Sequence, residues 1–296
     1  MKIITREYEL QNPLLTHNYT YINISDIHSN YKALLSIKEV INNIKPDFLV
    51  MTGDIVDSIN HKDNNKLFDV INSLSKEYPI FISYGNHDCV NSLKRHEMTG
   101  DYTVLNKIDC NKAQILANRG FYKINNDLCI ESFNTKSMDW YYEHYENTDL
   151  FMEEFINEYK PQPDTFKILL SHSPNPYFDE NNIFINNSLL DNTIINCGHN
   201  HGGFVLPFFQ DKLIHKKKYG IGLVGPYHRL FTHHSYGFYS NMQSSLIINN
   251  AVTKWSDCNG HLMGNIVNSI LKPEIDIIHL KPGEVHELNY LGRKKI

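Results

Sequence analysis

The chain predicts a soluble α/β fold, and three observations carry that reading. Residues 19 to 90 alternate strand, helix, strand, helix and strand. Five short apolar runs along the chain end in clusters of Asp, Asn, His and Gly. No repeat, low-complexity tract or long Gly/Ser/Pro linker divides the 296 residues, which suits one compact domain spanning 1–296 with an extension from about residue 210.

Tyr19–Ser25 is a short β-rich run ending in polar residues. The next segment places Leu34, Ile37, Ile41 and Ile44 on one helical stripe, stopped by Pro46. Phe48–Thr52 reads as a buried strand, a polar helix follows around Lys66–Lys76, and Ile80–Ser83 is the third strand. This spacing suggests crossover units and parallel pairing. The middle, from Asn91 to Pro163, is less regular. It carries a β pair near Phe121–Phe133, an aromatic loop at Trp140–Tyr145 and a helix near Asp149–Tyr159. Strands return at Phe166–Leu170, Thr193–Asn196, Ser245–Ile248 and Ile275–His279.

Composition narrows the class. A hydrophobic fraction of 41% with 21% charged residues is that of a folded soluble protein. A net charge of −5 gives no electrostatic footprint for nucleic acid, and Lys216–Lys218, the one short basic block, reads as a solvated loop. The stretch from Met1 to Asn18 is polar and broken by Pro13, so it is neither a signal peptide nor a spanning segment. Five cysteines, an odd number without a CxxC pair, fit free thiols in a reducing compartment, and a cytoplasmic location is expected.

In open α/β sheets, ligands bind outside the carboxyl ends of the strands, so the five polar clusters should converge. Asp26-Ile27-His28 puts two ligand types on one side of an extended chain, although alone it fits a helix cap beside an incidental histidine. In Gly53-Asp54-Ile55-Val56-Asp57 the glycine permits a tight turn and Asp54 can bridge two cations, while Asp57 either orients a histidine or caps the loop. Gly85-Asn86-His87-Asp88 offers an amide-oxygen ligand next to a histidine free for proton chemistry. His172 alone would read as a structural residue. Gly198-His199-Asn200-His201-Gly202-Gly203 brings two imidazoles to one turn.

The combined set is mixed N and O without thiolate, which suits Mn, Fe or Zn. Two such ions roughly 3.5–4 Å apart clamp a phosphoryl group and bring the pKa of a bridging water toward about 7. The resulting hydroxide would attack phosphorus in line while His87 protonates the leaving oxygen. The remaining histidines lack strand-end context and are expected at the surface or in packing. His233 and His234 are the exception, because the adjacent Tyr236–Tyr239 run could bring them near the pocket.

These five motifs, in this order over roughly residues 20–210, resemble the calcineurin-like metallophosphoesterase superfamily, whose pattern is D-x-H, G-D-x-x-D, G-N-H-[DE], H and G-H-x-H. The resemblance implies a four-layer α/β/β/α sandwich of two mixed sheets flanked by helices. It implies one ion on Asp26, His28, Asp54 and His201, and a second on Asp54, Asn86, His172 and His199. His87 would be the acid, with Asp57 its orienting partner, acting on a small-molecule phosphomono- or diester.

Residues 198–207 are similar to the GHTHGGQ-x-x-x-P run of small bacterial phosphohydrolases, and Lys272-Pro273-Glu274-Ile275 to their RPEI element. Asn200, Phe204 and Lys272 depart from that pattern. Ser58 stands where the protein Ser/Thr phosphatases carry arginine. Two alternatives are a nuclease of the same superfamily, which would call for a basic groove, and a non-catalytic metal-binding scaffold, which would have lost His87.

Overall fold

The computed structural model describes residues 2–92, 97–98, 103–109, 112–117, 119–134, 148–179, 181–206, 209–210, 220–223, 233–254 and 270–296. The aromatic loop at Trp140–Tyr145 and the Lys216–Lys218 block lie outside them. In chain order the main elements are β1 (Ile4–Asn12), β2 (Tyr19–Ile24), α1 (Tyr31–Ile44), β3 (Phe48–Thr52), α2 (Asn64–Ser75), β4 (Ile80–Ser83), β5 (Val90–Ser92), β6 (Glu97–Met98), β7 (Ala113–Ala117), β8 (Arg119–Lys123), β9 (Leu128–Phe133), α3 (Thr148–Glu158), β10 (Phe166–Leu170), β11 (Thr193–Cys197), β12 (Gly237–Ser240), β13 (Ser244–Ile248), β14 (Glu274–Pro282) and β15 (Glu287–Lys295).

The expected crossovers are present: β2, β3 and β4 pair in parallel through α1 and α2. Asn30 caps α1 by accepting from Ala33 N at 3.1 Å, and Lys45 closes it in the left-handed region at φ 55 before Pro46. A seven-stranded sheet runs β15-β1-β14-β2-β3-β4-β7 and a six-stranded sheet runs β12-β13-β11-β10-β9-β8, both mixed.

Alternation along each strand sorts side chains into three cores and so makes four layers. On β3, Leu49 and Met51 join Ile37, Ile41, Leu67 and Ile71 of the helices. Phe48 and Val50, on the opposite face, meet Phe166, Ile168, Leu170 and Ile194 of the second sheet. Leu169, Ile195 and Leu246 then pack outward against Phe155 and Tyr159 at α3. The helices, sheet, sheet and helix therefore stack in the order expected.

Six strands were not anticipated, β1, β5, β6, β7, β12 and β15. The polar stretch before Pro13 forms β1, paired parallel to β14, and β15 closes the edge antiparallel to β1. Tyr8 and Leu10 of β1 point into the core between the sheets, while Arg6, on the same strand, is 1% exposed. Among the described residues no helix is long and apolar enough to cross a membrane. Cys89, Cys129 and Cys197 are buried and in no disulfide.

Candidate metal centre

β2, β3 and β4 of one sheet and β10 and β11 of the other end at the same pole, and each is followed by one of the polar clusters. The loop after β2 runs alongside the loop after β3, with Asp26 N donating to Gly53 O at 3.2 Å and His28 N to Asp54 O at 3.0 Å. Within the second sheet the loops after β10 and β11 join where Gly198 N donates to His172 O at 2.9 Å. His199 N completes the junction by donating to both carboxylate oxygens of Asp26, at 3.1 and 3.0 Å.

The backbone is strained at the candidate ligands. Asp26, His28, Asp54, His199 and His201 all have φ between +48 and +70. A left-handed conformation at a non-glycine residue costs on the order of 1–3 kcal/mol. Five such residues at one pole mean that the loops are held by their surroundings. Gly198 shows how closely: a Cβ there would lie 1.7 Å from Ser25 Oγ and 2.4 Å from Asp26 Oδ2. Gly53, at φ +82, admits His172 Nδ1 to within 2.6 Å of where its Cβ would stand.

Candidate ligand atoms gather in three groups, Asp26 with His28 and His201, Asp54 with His172 and His199, and His28 with Asp57 and His87. In the first, His201 Nε2 lies 3.4 Å and His28 Nε2 3.9 Å from Asp26 Oδ1. In the second, His172 Nε2 lies 3.2 Å from Asp54 Oδ2 and 3.2 Å from His199 Nδ1. Asp54 Oδ2 is also 3.6 Å from His28 Nε2, so this oxygen stands between the first two groups. Asn86 is buried at the same pole, and neither its amide oxygen nor its amide nitrogen has a hydrogen-bond partner.

The second nitrogens of the histidines fix the chemistry. His172 Nδ1 lies 2.8 Å from Thr52 O and His201 Nδ1 2.7 Å from Thr253 O. A carbonyl oxygen only accepts, so each Nδ1 carries the proton and each neutral ring turns an Nε2 lone pair toward a carboxylate oxygen. Two acceptors at such distances repel unless positive charge lies between them. At His172, in the protein alone, a proton supplies that charge. Burial pulls His172 down, but the Asp54 carboxylate outweighs it and pushes the imidazole up to about 10. Burial, with cationic His172 beside it, holds His199 well below the usual imidazole range. Burial likewise takes His201 down to about 4. Buried carboxylates, imidazole lone pairs and an orphaned amide oxygen are a donor set that fits divalent ions of the Mn, Fe or Zn kind.

His87 belongs to the third group, with His28 and Asp57. Its backbone N–H donates to Asp54 Oδ1 at 2.8 Å and its ring lies edge-on to His28 at 4.5 Å. Its Nδ1 is 2.8 Å from the Asp57 carbonyl oxygen, while the Asp57 carboxylate is 4.0 Å away. That carboxylate lies nearer His28 Nδ1, at 3.5 Å. Asp57 thus meets two histidines, His87 through its carbonyl and His28 through its side chain. Asp88 accepts from Gly85 N at 2.8 Å and Val56 N at 3.0 Å, locking the β3 and β4 loops together. Burial and the charge of Asp54 push its carboxyl up to about 7.

Four supporting residues were not legible in the sequence: Thr52, which holds His172, and the three that follow. Thr253 holds His201 through its carbonyl and the Asp26–His28 loop through its N–H, 2.9 Å from Asp26 O. Asn134 fixes His172, accepting from its N–H at 2.9 Å. Ser29 accepts from Asp57 N at 2.9 Å. His234 does come near: Asn200 donates its side-chain amide to the His234 carbonyl at 2.7 Å. Its ring, however, stacks on Phe178 at 3.5 Å and its Nε2 lies 3.0 Å from Asn182 Oδ1. His286 is a packing residue between Asn12 and Ser245. His96, His144, His215, His228 and His261 lie outside the described residues.

Comparison with known proteins places this geometry. The family model for calcineurin-like phosphoesterases matches residues 19–203, which hold every cluster described above. The chain belongs to the calcineurin-like phosphoesterase family. It is 25% identical over 299 aligned residues to an uncharacterized metallophosphoesterase, YkuE, of Bacillus subtilis, covering 94% of this chain and 86% of that one. Over 83 residues it is 31% identical to the UDP-2,3-diacylglucosamine pyrophosphatase LpxG of Chlamydia muridarum, covering 27% of this chain and 25% of that one. Among solved structures, the NAD nucleotidase of Haemophilus influenzae aligns with TM-score 0.42 at 12% identity, over 79% of this chain and 45% of that one.

Proposed function

We propose that this calcineurin-like phosphoesterase hydrolyses phosphomono- or phosphodiester bonds of a small-molecule substrate with a pair of divalent ions. The observation that carries the reading is the position of Asp54 Oδ2, 3.6 Å from His28 Nε2 and 3.2 Å from His172 Nε2. One carboxylate oxygen between two clusters of imidazole is the arrangement a shared ligand requires. One ion would be held by Asp26, His28, Asp54 and His201, the other by Asp54, Asn86, His172 and His199. Such a pair supplies charge neutralisation at the phosphoryl oxygens and acidifies water to a pKa near ~7.

The chain's own residues do the rest. Thr52 and Thr253 carbonyls keep the His172 and His201 tautomers that present Nε2. The Asp57 carbonyl holds the proton on His87 Nδ1, so Nε2 is the atom that meets the leaving-group oxygen. Protonated there, it hands over a proton as the ester bond breaks. The presence of His87 and of every expected ligand favours this over a non-catalytic scaffold, and the net charge of −5 disfavours a nuclease. The reading takes the chain as one cytoplasmic catalytic domain, whose residues after 210 supply β12 to β15. The partial likeness to a UDP-2,3-diacylglucosamine pyrophosphatase makes phosphoanhydrides a second substrate class to try.

The test is turnover of p-nitrophenyl phosphate, its bis ester and a UDP-sugar with added Mn²⁺. Metal-dependent release from any of these supports the proposal. A metal-loaded protein that turns over none of them, nor any wider ester panel, sinks it.

A further inference from the structure

A second buried polar cluster lies behind the metal pole, and neither the ligands nor His87 account for it. Arg6, Gln210, Asn250, Lys254 and Glu274 are each no more than 3% exposed. Glu274 Oε2 accepts from Arg6 Nε at 2.9 Å and from Asn250 Nδ2 at 3.1 Å, while its Oε1 lies 2.9 Å from Lys254 Nζ. Gln210 Oε1 accepts from Asn250 Nδ2 at 2.8 Å and from Arg6 Nη2. Three charges and two amides are thus removed from water around one carboxylate.

Stability does not explain them. Taking ions out of water costs several kcal/mol each, about what their attraction returns, and apolar residues of equal volume often serve as well or better. What the cluster does accomplish is positional. Gln210 Nε2 donates to the carbonyl of Gly202 at 3.0 Å, directly after His201. Lys254 and Asn250 bracket a segment whose Val252 N donates to Ser25 O and whose Thr253 N donates to Asp26 O, both at 2.9 Å. Thr253 Oγ1 donates to Ile27 O at 2.7 Å, and the Thr253 carbonyl holds His201 Nδ1. These contacts fall on the Asp26, His28 and His201 group. His172 is held from the other side, by Thr52 and Asn134.

We propose that Glu274 is a positioning residue for one half of the metal pair: through Lys254, Asn250 and Gln210 it fixes Thr253 and Gly202, and through them His201 and the Asp26–His28 loop. The inference rests on the dinuclear reading above. It gives the late Lys272-Pro273-Glu274-Ile275 element a task at a site more than 70 residues away in sequence.

The experiment is stepwise Mn²⁺ binding by calorimetry on the full chain and on Glu274→Gln, with circular dichroism to confirm folding. Wild type should take two equivalents. In Glu274→Gln one equivalent should weaken by about 10–100-fold, the usual effect of losing an outer partner, while the other holds its affinity. Equal weakening of both sites, or no change in either, overturns the proposal. Should Glu274→Gln fold poorly, the triple variant Arg6→Met/Glu274→Leu/Lys254→Met replaces the charges by apolar volume, and the same selective loss is expected of it. A wild-type protein that takes up fewer than two ions overturns the dinuclear reading before any substitution is made, so the two failures are distinguishable.

Discussion

Replacing His87 by asparagine removes the imidazole and leaves the ligands in place. The backbone N–H of residue 87 still donates to Asp54 Oδ1, at 2.8 Å in the wild type. The His87 side chain is 12% exposed and touches His28 only edge-on, so truncation opens no closed cavity. The stability loss should stay within about 1 kcal/mol. The rate should fall by about 10²–10⁴, the usual worth of a positioned acid, which is about 3–5 kcal/mol of barrier. The size of the loss should depend on the leaving group. An alkoxide needs the proton and p-nitrophenolate hardly does, so the decrement should be large on alkyl phosphates and several-fold at most on p-nitrophenyl phosphate. The assay is kcat/KM for wild type and His87→Asn on both, at equal metal occupancy. An identical decrement on the two esters would refute the role of His87 as leaving-group acid.

Other substitutions separate the remaining parts. Asp57→Asn keeps the carbonyl that holds His87 but weakens the partner of His28 Nδ1. Metal affinity should drop about 10–100-fold while kcat at saturating metal changes little, as a Mn²⁺ titration of activity would read. Gly198→Ala drives a methyl group against Ser25 Oγ and Asp26 Oδ2. Overpacking should lower stability by about 1–3 kcal/mol in urea and at least one equivalent of metal should be lost on dialysis. Asp276 offers a pH test away from the ligands. Burial, opposed by Asn249, Asn23 and Arg6, pushes its carboxyl up to about 7. Below the unfolded pKa of 3.8 it is protonated in both states; from there to about 7 only the unfolded chain ionises, so stability falls as pH rises. Asp276→Asn removes a penalty of up to about 4 kcal/mol, so its stability gain over wild type should be slight at pH 4.5 and largest at pH 8. A gain that shrinks with rising pH would contradict the assignment.

The candidate metal pole was legible in the sequence because its candidate ligands sit in local runs at strand ends, each marked by glycine or polar residues after an apolar strand. The three parallel strands β2, β3 and β4 were equally plain from periodicity and spacing. β1 was hidden by Arg6, a buried cation on an inner strand whose partner Glu274 is 268 residues away. Its insertion beside β14 is a non-local pairing that no window of sequence reveals. Thr253 and Thr52 act through carbonyl groups, which every residue has, so side-chain reading could not select them. Asp57 lies among the histidines, and its division between carbonyl and carboxylate is a matter of loop geometry alone. The rings of His233 and His234 could not be placed from their neighbours, because what decides His234 is stacking on Phe178, 56 residues upstream.

The proposed mechanism depends on Asp54 serving two ions at once. Electron paramagnetic resonance during Mn²⁺ titration of the metal-free protein reads this directly. Two equivalents per chain with the signal of an exchange-coupled pair, replaced in Asp54→Asn by that of isolated ions, is the expected outcome. A single equivalent, or two that remain magnetically independent in the wild type, would contradict it.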